Sequence, residues 1–206
     1  MGHGTLGRSE SGFRTEIGRE RRDIFQKMNG SYRLVAIDLD DTLLTDDLEI
    51  TEGTKRALAA AAAEGCVVTI ATGRMYASAA RVAGGLGLNV PIITYQGALV
   101  KNLIDGKVLY ERTVPVDAAL AVARYAAERG LHLQGYVDDK MYAVADNEKS
   151  RAYSKLSGIP YDVTDDFESI ARQGAAKMLV IDEPEKLDRM MDELGAYLGE
   201  EARLTK

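Results

Sequence analysis

The sequence predicts an α/β protein whose core is a doubly wound parallel sheet. Three observations carry that reading. Short apolar runs without polar alternation recur at Leu34–Ile37, Cys66–Ala71 and Val90–Thr94, as strands buried on both faces require. Stretches with helical caps and glycine stops separate them. Polar residues able to do chemistry cluster directly after the first two runs, where such a sheet gathers its ligands.

The elements follow in order. Leu34–Ile37 is the first strand. Thr51 is a natural N-cap for a helix through the Ala-rich Ala57–Ala63, and Gly65 stops it. Cys66–Ala71 is the second strand. Arg74 to Val82 reads as a helix closed by Gly84, Gly85 and Gly87. Val90–Thr94 is the third strand, with Pro91 near its start, where a ladder donor is dispensable. This βαβαβ pattern fills 34–94.

The texture then changes. Ala98–Lys101 and Lys107–Glu111 flank Asn102–Gly106 and read as a hairpin. A helix runs from Asp117 as N-cap to Gly130. His132–Val144 reads as a second hairpin around Asp138-Asp139-Lys140. Helices follow at about 147–157 and 166–173, then a strand at Met178–Ile181. Pro184 opens a last helix reaching Leu198. The division is a leader at 1–27, a core segment at 28–96, and a separate α/β module at 97–206 spliced in after the third strand. The leader has no apolar h-region and is too acidic for a transit peptide. Met28 reads as the natural start, with a flexible native tail as the alternative.

Composition bounds the function. With 206 residues, 46% hydrophobic and 28% charged, the chain can bury a real core. Its 26 basic against 32 acidic residues leave a net charge of −6, which argues against nucleic acid as the main partner. One cysteine excludes an internal disulfide and points to a reducing cytoplasm. No apolar run approaches the ~18 residues a membrane span needs.

The chemistry sits at two strand ends. Asp38 and Asp40, in Asp38-Leu39-Asp40-Asp41-Thr42-Leu43-Leu44, are i and i+2, so extended backbone aims both carboxylates one way. Their repulsion calls for a cation between them, and hard oxygens suit Mg²⁺. A carboxylate is also a nucleophile toward phosphorus, and a second one can serve as general acid and base. The ordinary alternative is a solvated acidic turn, which fits Asp46, Asp47 and Glu49 better than Asp38. The second site is Thr69-Ile70-Ala71-Thr72-Gly73-Arg74. Thr72 offers a hydroxyl, Gly73 admits close approach of a ligand, and a following helix N-terminus favours an anion. Arg74 can reach a phosphate or pair with a carboxylate. The ordinary alternative makes Thr72 an N-cap and Gly73 a turn.

These two segments resemble motifs I and II of the haloacid dehalogenase-like (HAD) phosphatases. Ile93-Thr94-Tyr95-Gln96-Gly97-Ala98 resembles the entry to the α/β cap, type IIB, of the Cof-type branch. The resemblance spans about 30–206. It implies a Rossmann-like core with an inserted cap, and hydrolysis of small phosphate monoesters such as sugar phosphates through an aspartyl-phosphate. Asp38 becomes nucleophile and Mg²⁺ ligand. Asp40 becomes general acid/base, with its backbone carbonyl on Mg²⁺. Thr72 and Gly73 hold the phosphoryl group, and Arg74 positions substrate or loop. Cap motion then gates water and selects substrate.

Two departures matter. Gln96 stands where the branch usually has Asn. The family's motif III lysine and motif IV acidic pair, which follow the cap, have no counterpart. Lys177 opens an apolar strand and Asp165-Asp166 reads as a helix start. The chain therefore reads as C-terminally truncated, with Leu34–Ile37 as an uncovered apolar edge inviting self-association or a complementary chain. The second function hypothesis follows: an inactive fragment or a phosphate-binding subunit. The remaining candidates have ordinary readings. Cys66 and Met190-Met191 read as core, His132 as packing, and Tyr136, Tyr142 and Tyr153 as packing or pocket lining. Asp138-Asp139-Lys140 reads as a hairpin tip, with contact to substrate from a mobile cap as the alternative.

Overall fold

The computed structural model describes residues 32–88, 90–198 and 202–206. The expectations for the leader and for Met28 lie outside the described residues. β1 (Leu34–Ile37) pairs in parallel with β2 (Val67–Ile70), Leu34 opposite Val67 and Ile37 opposite Ile70. β3 (Pro91–Thr94) flanks the other edge of β2. The Ala71 N–H turns to Ile37 of β1, whereas the Thr72 N–H donates to the Ile93 carbonyl at 3.0 Å. The Thr69 hydroxyl adds a 2.6 Å bond to the Pro91 carbonyl. The three strands therefore bring their carboxyl ends to one side, as the doubly wound reading requires.

α1 (Glu52–Ala63) is capped by Thr51, whose hydroxyl accepts the Thr54 N–H at 3.2 Å. α2 is Tyr76–Gly85. It starts two residues later than the sequence predicts, because Thr72–Arg74 form a turn in which the Arg74 carbonyl is taken by the Tyr95 N–H. α2 packs Ala79 and Ala83 against Leu39, Leu43, Ile70 and Ile92, the core of this half. The hairpin β4 (Leu99–Asn102) and β5 (Val108–Glu111) pairs onto β3 in the order β3-β4-β5. The hairpin grouped by sequence with the later module therefore extends the first sheet.

One expectation fails here. β1 is not buried on both faces: Leu34 is 57% exposed, Ala36 is exposed, and α1 has no buried residue. Among the described residues β2 is the only strand pairing with β1, so the edge anticipated from the sequence stands open.

The second module has its own sheet, ordered β8-β7-β6-β9. Its strands are β6 (His132–Val137), β7 (Lys140–Ala143), β8 (Tyr161–Val163) and β9 (Lys177–Ile181). Its helices are α3 (Val116–Glu128), α4 (Glu148–Ser157), α5 (Phe167–Arg172) and α6 (Pro184–Leu198). β8, three residues long, was too short to register as a periodic signal. The N-cap of α3 is Pro115 and not Asp117, which sits in the first turn, where its charge suits the helix dipole. Asp166 does start α5, its carboxylate accepting the Ser169 N–H at 2.9 Å. Val122, Leu133, Phe167, Ile170, Met190 and Leu194 form the module's core. Gly135 permits this packing, since a Cβ there would stand 3.0 Å from the Phe167 ring.

Candidate active site

The site is assembled from the ends of β1, β2 and β3. After Ile37 the chain passes Asp38 into one irregular helical turn, Leu39–Leu43, broken at Asp40 and at Asp41 (φ 55°). Leu39 and Leu43 are buried and pin that turn to the core. Asp38, which is exposed, accepts its neighbour Leu39's N–H on Oδ1 at 2.8 Å. After β2, the buried Thr72 hydroxyl accepts the Arg74 N–H at 3.2 Å, so Thr72 performs the turn-capping role. After β3, Tyr95 and Gln96 both adopt left-handed backbone (φ 51° and 52°), a conformation that costs residues with a Cβ roughly 1–3 kcal/mol each. The reason for glycine at position 73 is visible: a Cβ would lie 2.9 Å from Gln96 Nε2. Gln96, the residue that departs from the family pattern, thus lies directly on the second motif.

Arg74 and Asp40 dominate the electrostatics. Arg74 Nε lies 3.2 and 3.0 Å from the two Asp40 oxygens, and Nη2 lies 2.5 Å from Oδ1. This fork-on-carboxylate pair raises the arginine's pKa, first through the hydrogen bonds to Asp40, with a smaller contribution from the nearby Asp38 charge. Of the two roles open to Arg74, pairing with a carboxylate is the one seen. Asp38 bonds the backbone of its neighbour while Asp40 turns to the guanidinium, and both charges act on Arg74. Among the described residues no three acidic, His or Cys side chains cluster as a metal cage.

The second module closes over these strand ends. Its β6–β7 turn places Asp138 and Asp139 at positive φ, 48° and 59°. Asp139 Oδ1 then accepts the Tyr95 hydroxyl at 2.9 Å and the Ala77 N–H at 3.2 Å. α2 has Met75 at its N-cap with no side-chain bond, so Asp139 supplies the missing acceptor from the other module. Burial, reinforced by Asp139, pushes the Tyr95 hydroxyl's pKa well above the usual tyrosine range. At the far end of α2, Arg81 Nη2 donates to the Gly158 carbonyl at 2.8 Å. From β9, Lys177 Nζ donates to the Gly73 carbonyl at 3.3 Å. Met75, Tyr95, Leu99, Tyr136, Met141 and Ile159 make the apolar seam. Tyr136 packs between Tyr95 and Tyr153, with ring centroids 6.0 and 6.5 Å away. Tyr142 packs instead into the second module's own core.

The sequence marks Asp139 only as part of a hairpin tip and Lys177 only as the start of an apolar strand, and it singles out neither the Tyr95 hydroxyl nor Arg81. Asp-Asp at a two-residue hairpin signalled the turn but not its target. Lys177 was visible only as a charge opening an apolar strand. His132 is buried, and its ring nitrogens lie 3.1 Å from Asn147 Nδ2 and 3.2 Å from Gln134 Nε2, in accord with a packing role. A cavity of about 1170 Å³ adjoins His132 and none of the strand-end residues.

An α/β sheet that brings two aspartates and a Thr-Gly-Arg turn to adjacent strand ends is of the Rossmann-like class, which gathers its ligands there. Residues 35–206 match the model of the haloacid dehalogenase-like hydrolase family, and the chain belongs to that family. It is similar to the HMP-PP phosphatase of Escherichia coli O81, at 28% identity over 84% of this chain and 62% of that protein. A crystal structure of TM0651 from Thermotoga maritima superposes with a TM-score of 0.73 and 32% identity, over 85% of this chain and 66% of that one. The fold also matches BT4131, described as a HAD subclass IIB sugar phosphatase, with a TM-score of 0.69 and 22% identity, over 79% of this chain and 64% of that one. The chain thus spans between about three fifths and two thirds of the length of these relatives. No described helix is long and apolar enough to cross a membrane.

Proposed function

We propose that the chain carries the nucleophile site of a phosphomonoesterase acting on small phosphorylated metabolites, sugar phosphates among them. The observation that carries this is the convergence of Asp38 and Asp40 with Thr72-Gly73-Arg74 at adjacent strand ends, under a module able to cover them. Asp38 attacks phosphorus, forming a P–O bond to its carboxylate as the bond to the leaving oxygen breaks. Asp40 gives that oxygen a proton, then takes one from the water that hydrolyses the aspartyl-phosphate. An acid cannot donate its proton while both oxygens face a guanidinium, so substrate binding must first draw Arg74 off Asp40 and onto the phosphoryl group. Thr72 and the Gly73 backbone orient that group. The Asp38 carboxylate and Asp40 carbonyl would hold Mg²⁺, whose preference for hard oxygen donors they match. When bound, the ion would neutralise charge on the phosphoryl oxygens, the main need in phosphoryl transfer. Cytoplasmic residence accords with the single cysteine.

Hydrolysis of an aryl phosphate with Mg²⁺ tests this reading. Asp38→Asn is expected to abolish turnover by at least roughly 10³-fold, as loss of a nucleophile does. Equal rates in the variant would refute it. The exposed β1 edge supports a second reading, a phosphate-binding subunit completed by another polypeptide or by self-association. In that case turnover would appear only when the complementary chain is added.

A further inference from the structure

Lys177 is the charged group that the reaction above leaves unused. It opens β9, is partly shielded from solvent, and projects from the cap module across the seam to the Gly73 carbonyl at 3.3 Å. Burial alone shifts its pKa, downward, and no carboxylate contributes. A shielded ammonium ordinarily has a counter-ion, because desolvating an unpaired charge is costly. Here its hydrogen-bond acceptor among the described residues is a neutral carbonyl, which leaves two of its three N–H donors open. The other cation of the loop, Arg74, is committed to Asp40 through three contacts. An uncompensated cation beside Thr72-Gly73 is thus held ready while the arginine is occupied.

We infer that Lys177 is the cap's phosphate ligand, its ammonium binding a non-bridging oxygen of a phosphate monoester dianion lodged at the Thr72-Gly73 turn. This rests on the phosphatase reading above and names the group through which the cap senses the substrate's phosphoryl end. A cap that contributes charge as well as shape closes most tightly on dianions. Neutral ligands lack this charge-assisted contact, and monoanionic diesters offer it less charge. Anchoring Nζ on the Gly73 carbonyl fixes the direction of its remaining donors, which a flexible surface lysine lacks.

The test is calorimetric titration of the full chain with inorganic phosphate near neutral pH, without divalent metal, on the native protein, Lys177→Met and Lys177→Arg. Lys177→Met is expected to weaken phosphate binding about 10-fold or more, the loss typical of a charge-assisted hydrogen bond. Lys177→Arg is expected to recover most of that loss. Thermal melting should show Lys177→Met at or above the native Tm, since an unpaired charge has been removed from a shielded position. Equal phosphate affinity in the native protein and Lys177→Met would overturn the inference, as would a fall in Tm with affinity unchanged, the mark of a purely structural lysine. Native protein that binds no phosphate would overturn it too. The phosphatase reading fails separately, if aryl phosphate hydrolysis is indifferent to Asp38→Asn while phosphate binding still depends on Lys177.

Discussion

β1 and β6 are both apolar strands, and the structure treats them differently. Every residue of β6 is buried, from His132 to Val137, whereas the residues of β1 alternate between exposed and half-buried. β6 lies between β7 and β9 with helices packed over it, while among the described residues β1 has β2 on one side only. The second module therefore closes its own core within the described residues. The first does not cover its leading strand or α1. The difference teaches that an apolar run specifies a buried strand only when enough neighbours are present to bury it. It also locates the candidate site, since Asp38 follows the less covered strand, while Asp139 and Lys177, which bond to the segments after β2, come from the better covered module.

The largest expected effect tests that contrast directly. Leu133→Ala in β6, where the side chain is fully buried, should destabilise the second module by about 2–5 kcal/mol. Leu34→Ala in β1 should cost less than about 0.5 kcal/mol. Urea melts of the two variants check this, and equal losses would mean that β1 is covered in solution. Leu34→Lys sharpens the point. If the edge self-associates, sedimentation should show the charged variant shifting toward monomer.

Next in size is the contact between the modules. Asp139→Ala removes the acceptor for both the Tyr95 hydroxyl and the Ala77 N–H, and should cost about 1–2 kcal/mol, as loss of a helix cap does. Faster amide exchange at Ala77, with exchange in β6 unchanged, would show the modules parting without either unfolding. Asp139→Asn keeps an acceptor oxygen and should restore part of the protection.

The smallest effect is confined to the better-buried strand. Desolvation, helped by the Lys149 charge, holds His132's pKa below its ordinary value of about 6.5. A group whose folded pKa is depressed adds stability that is present above its unfolded pKa. That stability fades as pH falls from about 6.5 toward the folded value, because the unfolded chain takes up the proton first. Melting temperature should drop over this window in the native protein, and His132→Gln should flatten the slope. An unchanged slope would mean that the ring titrates as it does in the unfolded chain.

Much of the fold was legible because its signals are local. Thr51 caps α1 and Asp166 caps α5 through bonds to residues three positions on. The glycine after α1, Gly65, takes the left-handed conformation that ends a helix. The family and the two strand-end motifs were legible for the same reason, since Asp38–Leu44 and Thr69–Arg74 are contiguous in sequence. Less legible was β8, three residues paired in parallel with β7 and lacking any period of its own. The β4–β5 hairpin followed the texture change at Gln96 but pairs with β3, and nothing local marks which sheet a hairpin joins.

The sequence by itself determined the α/β class, the alternation of elements, the family and the identity of the strand-end residues, all through patterns within about 20 residues of chain. Only the tertiary structure decided what those residues face. It turned the Asp40 carboxylate toward Arg74, 34 positions away, set Asp139 on the N-terminus of α2, 62 positions away, and brought Lys177 to Gly73 across 104. Charged side chains find partners by distance in space, and distance in space between two modules is fixed by how their apolar seam packs. That seam draws Met75, Tyr95, Tyr136 and Ile159 from far-separated segments, and no local pattern encodes their meeting.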